Sequence, residues 1–203
     1  MSAEVPDSAL RTTSGAATRA RILTAASELF YAHGIRATSA DRIIAAVGIT
    51  KVTFYRHFRT KSDLVVAYLG QQAAGERSWM EGVRLLGRPV ESLRALAVDI
   101  GVASCNPGFR GCAFINAAAE FPDALDPVRE AVDVHRQWTL DYFADIAAEA
   151  SVPESQSVAR QLMLLRDGAM VNGYLGQAAA VADTLGAAFT SIITTASHPS
   201  QFN

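Results

Sequence analysis

The chain has 203 residues, of which 50% are apolar and 19% charged, with a formal net charge of −2. That length accommodates one or two compact domains, and the apolar content excludes wholesale disorder. Two cysteines are too few for a disulfide scaffold and fit a reducing cytosol, while Glu4 and Asp7, with no apolar run beside them, argue against a signal peptide.

Residues 1–15 read as a flexible tail. A first helix is expected from about Thr18 to His33, with Ile22, Ala26, Leu29 and Phe30 on one stripe and Gly34 as its stop. A second starts behind Thr38 or Ser39, where Thr38-x-x-Asp41 resembles a capping box. It carries Ile43, Ile44 and Val47 and ends at Gly48. Thr50 can cap a third, short helix from Lys51 to Phe58. Thr60-x-x-Asp63 opens a fourth, with Leu64, Val65, Tyr68 and Leu69 on one side, running to about Met80. Beyond Pro89 the helical period continues from Val90 to Ser104 and stops at Asn106-Pro107-Gly108. A short helix over Cys112–Glu120 follows. Asp126-Pro127 opens a long one to Ala150, by the rule that proline suits the first helical position. Pro153 is placed in the first turn of the next, which runs to Gly176, and the last spans Ala178–Ser197. The fold class is therefore all-α, with about nine helices and no sheet. A boundary near residue 60 separates a small N-terminal domain, 16–60, from a body, 61–203, and the fourth helix bridges them. The most apolar stretches carry Arg, Asp or Asn inside them, which argues against a membrane span.

Function is concentrated in residues 38–58, TSADRIIAAVGITKVTFYRHF. Two short helices flank Val47-Gly48-Ile49-Thr50, which is helix-turn-helix spacing with glycine at the sharp turn. Ile43, Val47, Ile49, Phe54 and Phe58 form the inward side. The outward side of the second helix is then Thr50, Lys51, Val52, Thr53, Arg56 and His57, able to donate to phosphates or reach base edges in a major groove. Charge agrees with this placement. Between Arg11 and Lys61 nine Lys/Arg face only Glu28 and Asp41, a net of +7, whereas from Ser62 onward nine Arg face 16 Asp/Glu, a net of −7. A basic segment on an acidic body indicates a polyanionic partner for one part of the molecule. Arg56 is the best base reader, because guanidinium binds guanine bidentately. Val52 fits either contact with a thymine methyl or a tolerated surface valine.

Residues 21–69, RILTAASELFYAHGIRATSADRIIAAVGITKVTFYRHFRTKSDLVVAYL, resemble the tetracycline-repressor (TetR) family of bacterial transcriptional regulators. The resemblance rests on Gly48, Ile49, Thr50, Lys51, Phe54, Tyr55, His57, Phe58 and Lys61 in register. It departs at Val52, where many members carry a small residue. It implies phosphate contacts by Tyr55 and His57 and a backbone contact at Lys61, the start of the fourth helix. Thr38 and Ser39 can bond a phosphate at the start of the second helix in the same way.

The resemblance further implies a homodimer formed by the last two long helices. In this chain those carry Val158, Leu162, Leu165 and Ala169, then Val181, Leu185, Phe189 and Ile192, with Gly168, Gly173 and Gly176 small enough for close approach. It also implies a small-molecule effector site in the body. Candidate lining residues are Trp79, Phe114, Asn116, Glu120, His135, Trp138, Thr139, Tyr142, Met163, Met170 and Asn172, an apolar set with a few polar groups that suits an amphipathic or aromatic effector. The expected partners are an operator in double-stranded DNA, the effector and a second copy. No membrane, cofactor or metal is expected, and the expected location is the cytoplasm. No GxSxG, HExxH, P-loop or GxGxxG motif points to an enzyme. The alternative is a thiol redox or metal sensor on the same scaffold, using Cys105 and Cys112, with His135 as a possible third ligand.

Overall fold

The computed structural model describes residues 7–197, with side chains from residue 15 on. Among the described residues there are nine α-helices and no strand. In chain order they are α1 Asp7–His33, α2 Ala40–Val47, α3 Lys51–His57, α4 Lys61–Val83, α5 Pro89–Ser104, α6 Ala113–Glu120, α7 Pro127–Glu149, α8 Ser155–Asn172 and α9 Ala178–Ser197. Residues 7–15, read from sequence as tail, are the first turns of α1; residues 1–6 lie outside the described residues. The chain divides into two compact units at Gln71/Gln72, inside α4 and about three helical turns beyond the boundary expected near 60, so that α4 contributes its first half to one unit and its second half to the other.

Unit one is built on a core of Ile22, Ala26, Phe30, Ile43, Phe54, Leu64 and Tyr68, each at most 3% exposed. Its turns follow from local chemistry. Ser39, not Thr38, caps α2 by accepting from the Arg42 N–H at 3.2 Å. Gly48 ends α2 with φ +70° and donates to the Ile44 carbonyl at 3.0 Å, a conformation a side chain would strain. Thr50 caps α3 through the Thr53 N–H at 3.2 Å. Thr60 and Asp63 form a reciprocal capping box, both bonds 3.0 Å long, at the start of α4.

In unit two, α5 packs most extensively on α9. Gly101 permits this, since a Cβ there would stand 2.6 Å from the Ala182 Cβ. The helices α8 and α9 are separated by one wide turn, Gly173–Gln177, with Gly176 at φ 93°, and fold back against each other. Pro153 precedes α8 rather than lying in its first turn, because the helix begins at Ser155 behind Glu154. The stretch Ser155–Ser197 is long and apolar enough to cross a membrane by composition, but it is broken at Gly176 and its apolar stripes are spent on α5, α7 and each other.

Candidate functional site

The basic side of unit one is assembled by α2 and α3. Phe54 is fully buried and Phe58 is 3% exposed, so they anchor α3 from behind. The opposite side of α3 faces water: Lys51, Val52, Tyr55 and Arg56 are exposed, with Val52 at 81%. Thr50 and Thr53 share a hydroxyl–hydroxyl bond of 2.9 Å at the helix start. Lys51 lies 3.6 Å from Asp41 in a largely exposed pair, which is weak. Tyr55 packs edge-on against Phe54 at 5.2 Å while the residue remains 41% exposed. The arrangement presents donors, one methyl-bearing side chain and a free guanidinium along a two-turn helix narrow enough for a major groove.

Several expected contacts need correction. Thr38 is fully buried, and its hydroxyl lies 2.9 Å from the Gly34 carbonyl and 3.2 Å from that of Leu29, so it cannot bond a phosphate. Ser39 keeps its place at the helix start. His57 is half-buried, and its Nε2 has neither solvent nor a hydrogen-bond partner, so contact through that nitrogen requires the ring to turn. The Lys61 ammonium reaches the Arg36 carbonyl at 3.5 Å. Two arginines of α1 are structural: Arg21 donates to the Val47 carbonyl at 2.6 Å, and Arg19 lies 4.7 Å over the Phe58 ring. Both tie α1 to the helix-turn-helix.

In unit two the aromatic candidates form a ladder along α7. Phe114 stacks on His135 at 3.7 Å, followed by Trp138 at 6.2 Å and Tyr142 at 5.6 Å. Arg77 of α4 covers Trp138, and Arg84, just past the end of that helix, covers Tyr142. The Tyr142 hydroxyl donates to the Met80 carbonyl at 2.7 Å, and burial pushes its ionisation up to about 12, so it stays a donor. Trp79 donates to Asp99 at 2.8 Å, and Thr139 to the His135 carbonyl at 3.0 Å. Asn116 donates to the Arg110 carbonyl at 2.9 Å, Glu120 is half-buried at the end of α6, and Met163 and Met170 are buried on α8. Asn172 belongs elsewhere. It is exposed and lines a groove between α8 and α9.

Beside the ladder sits a charged group that sequence reasoning missed. Arg166 is 2% exposed and is paired with Glu76. Its other terminal nitrogen donates to Asp167 at 3.0 Å and to the Cys112 sulfur at 3.5 Å. Glu76 also lies 3.2 Å from His135 Nε2. Burial raises the Glu76 ionisation, but Arg166 and His135 together outweigh it and hold the carboxyl below its ordinary value. Burial likewise opposes the Arg166 charge, and Cys112, Glu76 and Asp167 overcome it. The signal was present in the sequence: Arg166 falls one turn from both Leu162 and Met170, on the buried side of α8.

The expected subunit contacts divide similarly. Val158, Leu162, Ala169, Val181, Leu185 and Phe189 are at most 9% exposed within one chain, so most of their surface is already spent on intramolecular packing. Gly173 is pressed against Ser104 and Phe109 of its own chain. What α8 and α9 leave outward is a groove of about 280 Å³, lined by Leu165, Gly168, Ala169, Val181, Leu185 and Ala188 and bordered by Leu164 at 72% exposure. Ile192 is half-buried. The two thiols differ: Cys105 is exposed and Cys112 buried. Among the described residues no three His, Cys, Asp or Glu side chains gather as metal ligands.

Comparison with known proteins adds three findings. A family profile described as bacterial regulatory proteins of the tetR family matches residues 22–68. Among curated proteins, the chain is 33% identical to the HTH-type transcriptional regulator AcrR of Shigella flexneri over 41% of this chain and 40% of AcrR. It is 34% identical to the HTH-type transcriptional regulator UidR of Escherichia coli over 41% of this chain and 50% of UidR. The matched region thus spans half or less of these curated relatives. Among solved structures, a TetR-family transcriptional regulator from Streptomyces coelicolor superposes with a TM-score of 0.82 at 39% identity, over 89% of this chain and 96% of that one. A regulator from Streptomyces avermitilis, at 23% identity and a TM-score of 0.77, shares the fold.

Proposed function

Because this chain belongs to the TetR family of bacterial transcriptional regulators, we propose that it binds an operator in double-stranded DNA through the outward side of α3 and leaves it when a small effector enters the body. The observation that carries the reading is the sidedness of α3. Phe54 and Phe58 are buried, while Lys51, Val52, Tyr55 and Arg56 face water inside the most basic part of the chain. Thr50, Thr53, Tyr55, His57, Ser39 and Lys61 position the helix on phosphates, and Arg56 and Val52 read bases. Two copies, joined across the α8–α9 groove, place two such helices on a palindromic site with half-sites one helical turn or a multiple apart. The protein acts as a repressor in the cytoplasm, where the chromosome is accessible to it.

Effector control follows from linkage. A ligand that prefers the dimer with misplaced recognition helices must weaken operator binding by the same factor by which the operator weakens its own. The effector region is the ladder and charge cluster facing α4, an amphipathic lining suited to an amphipathic or aromatic molecule. Genomic fragments recovered with the purified protein, followed by binding at several salt concentrations, test the reading. A steep linear fall of log K with log salt supports it. A protein indifferent to every duplex recovered, or effector and operator binding independently, overturns it.

A further inference from the structure

Bordered by Phe114 of the ladder and Asp167 of the charge cluster, an open cleft of about 480 Å³ lies between α6, α7 and α8, within the range of small-molecule sites. Its apolar wall is made by Phe114, Ile115, Val132 and Val171. Its charged groups are Arg129, Asp133 and Arg136 from α7 and Asp167 from α8. Arg129 and Arg136 are seven residues apart and so share one side of α7. Asp167 already has two guanidinium partners, Arg136 at 2.8 Å and Arg166 at 3.0 Å. The arginines are less fully used. Arg129 donates one N–H to the Phe121 carbonyl at 3.2 Å, and its Nε is buried with no partner. A guanidinium carries five N–H donors and no acceptor, so the unmet demand of the cleft is for an acceptor. Asp133 is exposed one turn from Arg129 and offsets part of the positive field.

Asp167 also belongs to a chain of ion pairs that leads inward from Arg136. Charges alternate from Arg136 through Asp167 and Arg166 to Glu76, which lies beside His135. Glu76 lies on α4, the helix shared by both units. We propose that the cleft binds an amphipathic organic anion, its acid group taking Arg129 and Arg136, and that Asp167, released from Arg136, then draws Arg166 away from Glu76. The step breaks and forms ion pairs only. It rests on the effector reading above and names the ligand class and the route by which occupancy reaches α4.

Decanoate serves as the probe, measured on the 203-residue chain by calorimetry and by intrinsic emission, since of the two tryptophans Trp138 on α7 lies under Arg77 of α4 and Trp79 lies on α4 itself, bonded to Asp99. Wild-type protein is expected to bind decanoate with a change in tryptophan emission and to bind decyltrimethylammonium at least tenfold more weakly. Arg129→Gln and Arg136→Gln each weaken decanoate binding about tenfold. Exposed Asp133→Asn, which spares the fold, tightens it about threefold. Asp167→Asn keeps decanoate bound but abolishes the emission change. No decanoate binding, equal or preferred binding of the cation, unchanged affinity in both arginine variants and in Asp133→Asn, or an emission change that survives Asp167→Asn overturns the proposal. These readouts use no DNA. A chain that passes them yet binds no operator retains the cleft and loses the operator reading, and one that releases operator to another molecule while ignoring decanoate does the reverse.

Discussion

Arg166 holds its charge at 2% exposure because carboxylates of two other residues and a sulfur surround it. Breaking such a buried pair leaves an uncompensated charge, so Glu76→Gln is expected to cost roughly 3–5 kcal/mol at neutral pH in urea unfolding. The same group sets a pH dependence. The Glu76 carboxyl lies lower when folded than when unfolded, so its stabilisation is complete above the ordinary carboxyl value and is lost as pH falls through the folded value. Melting curves collected downward from about pH 5 should therefore fall for the wild type and flatten for Glu76→Gln. Thr38 makes the opposite case. It was legible as a polar residue at a helix start, but its neighbour Ser39 does the capping and Thr38 turns inward to the Gly34 carbonyl. Thr38→Val should cost about 1 kcal/mol and leave the salt slope of DNA binding unchanged, whereas Tyr55→Phe should weaken every duplex about equally. Arg56→Ala should instead relax base preference and cost about 1–3 kcal/mol at the preferred site.

Helix ends were the most readable part of the chain. Gly48, Thr50, Thr60 with Asp63, and Asp126 with Pro127 all act where their short-range chemistry places them. Local capping depends on residues three or four apart, which a sequence displays directly. What lies across from a helix is not displayed. Residues 7–15 lack a clear apolar stripe, so nothing marked them as the start of α1. Gly101 looked like one more small residue on α5, but α9 approaches it too closely to admit a side chain. Gly101→Val is expected to destabilise the chain by about 1–3 kcal/mol, read as a lowered urea midpoint with an unchanged slope.

The apolar stripes of α8 and α9 were visible as stripes, but periodicity cannot say whether the covering atoms come from the same chain or another. Most stripe residues turn inward, and the surface left for a partner is the groove beside Leu164, Gly168 and Ala188. Leu164→Glu, at a site 72% exposed, should leave the monomer folded while shifting sedimentation to a single copy. Because a lone module loses the avidity of two linked half-sites, operator affinity should drop by about 10²-fold or more. Leu162→Glu, buried in its own chain, should unfold the protein instead, which separates assembly from stability. The buried cluster around Arg166 was the least legible feature, since its members come from α4, the cap of α6, α7 and α8 and meet only once the body is packed.

The unequal standing of the two cysteines offers experimental access to the intact molecule. Cys105 sits in water beyond the end of α5, while Cys112 is enclosed at the start of α6. A maleimide dye added under native conditions should therefore attach at a single position per chain, without any engineered residue. In an assembly of two copies, energy transfer between donor and acceptor labels on that natural handle would report how far apart the copies hold their bodies, free or engaged with DNA.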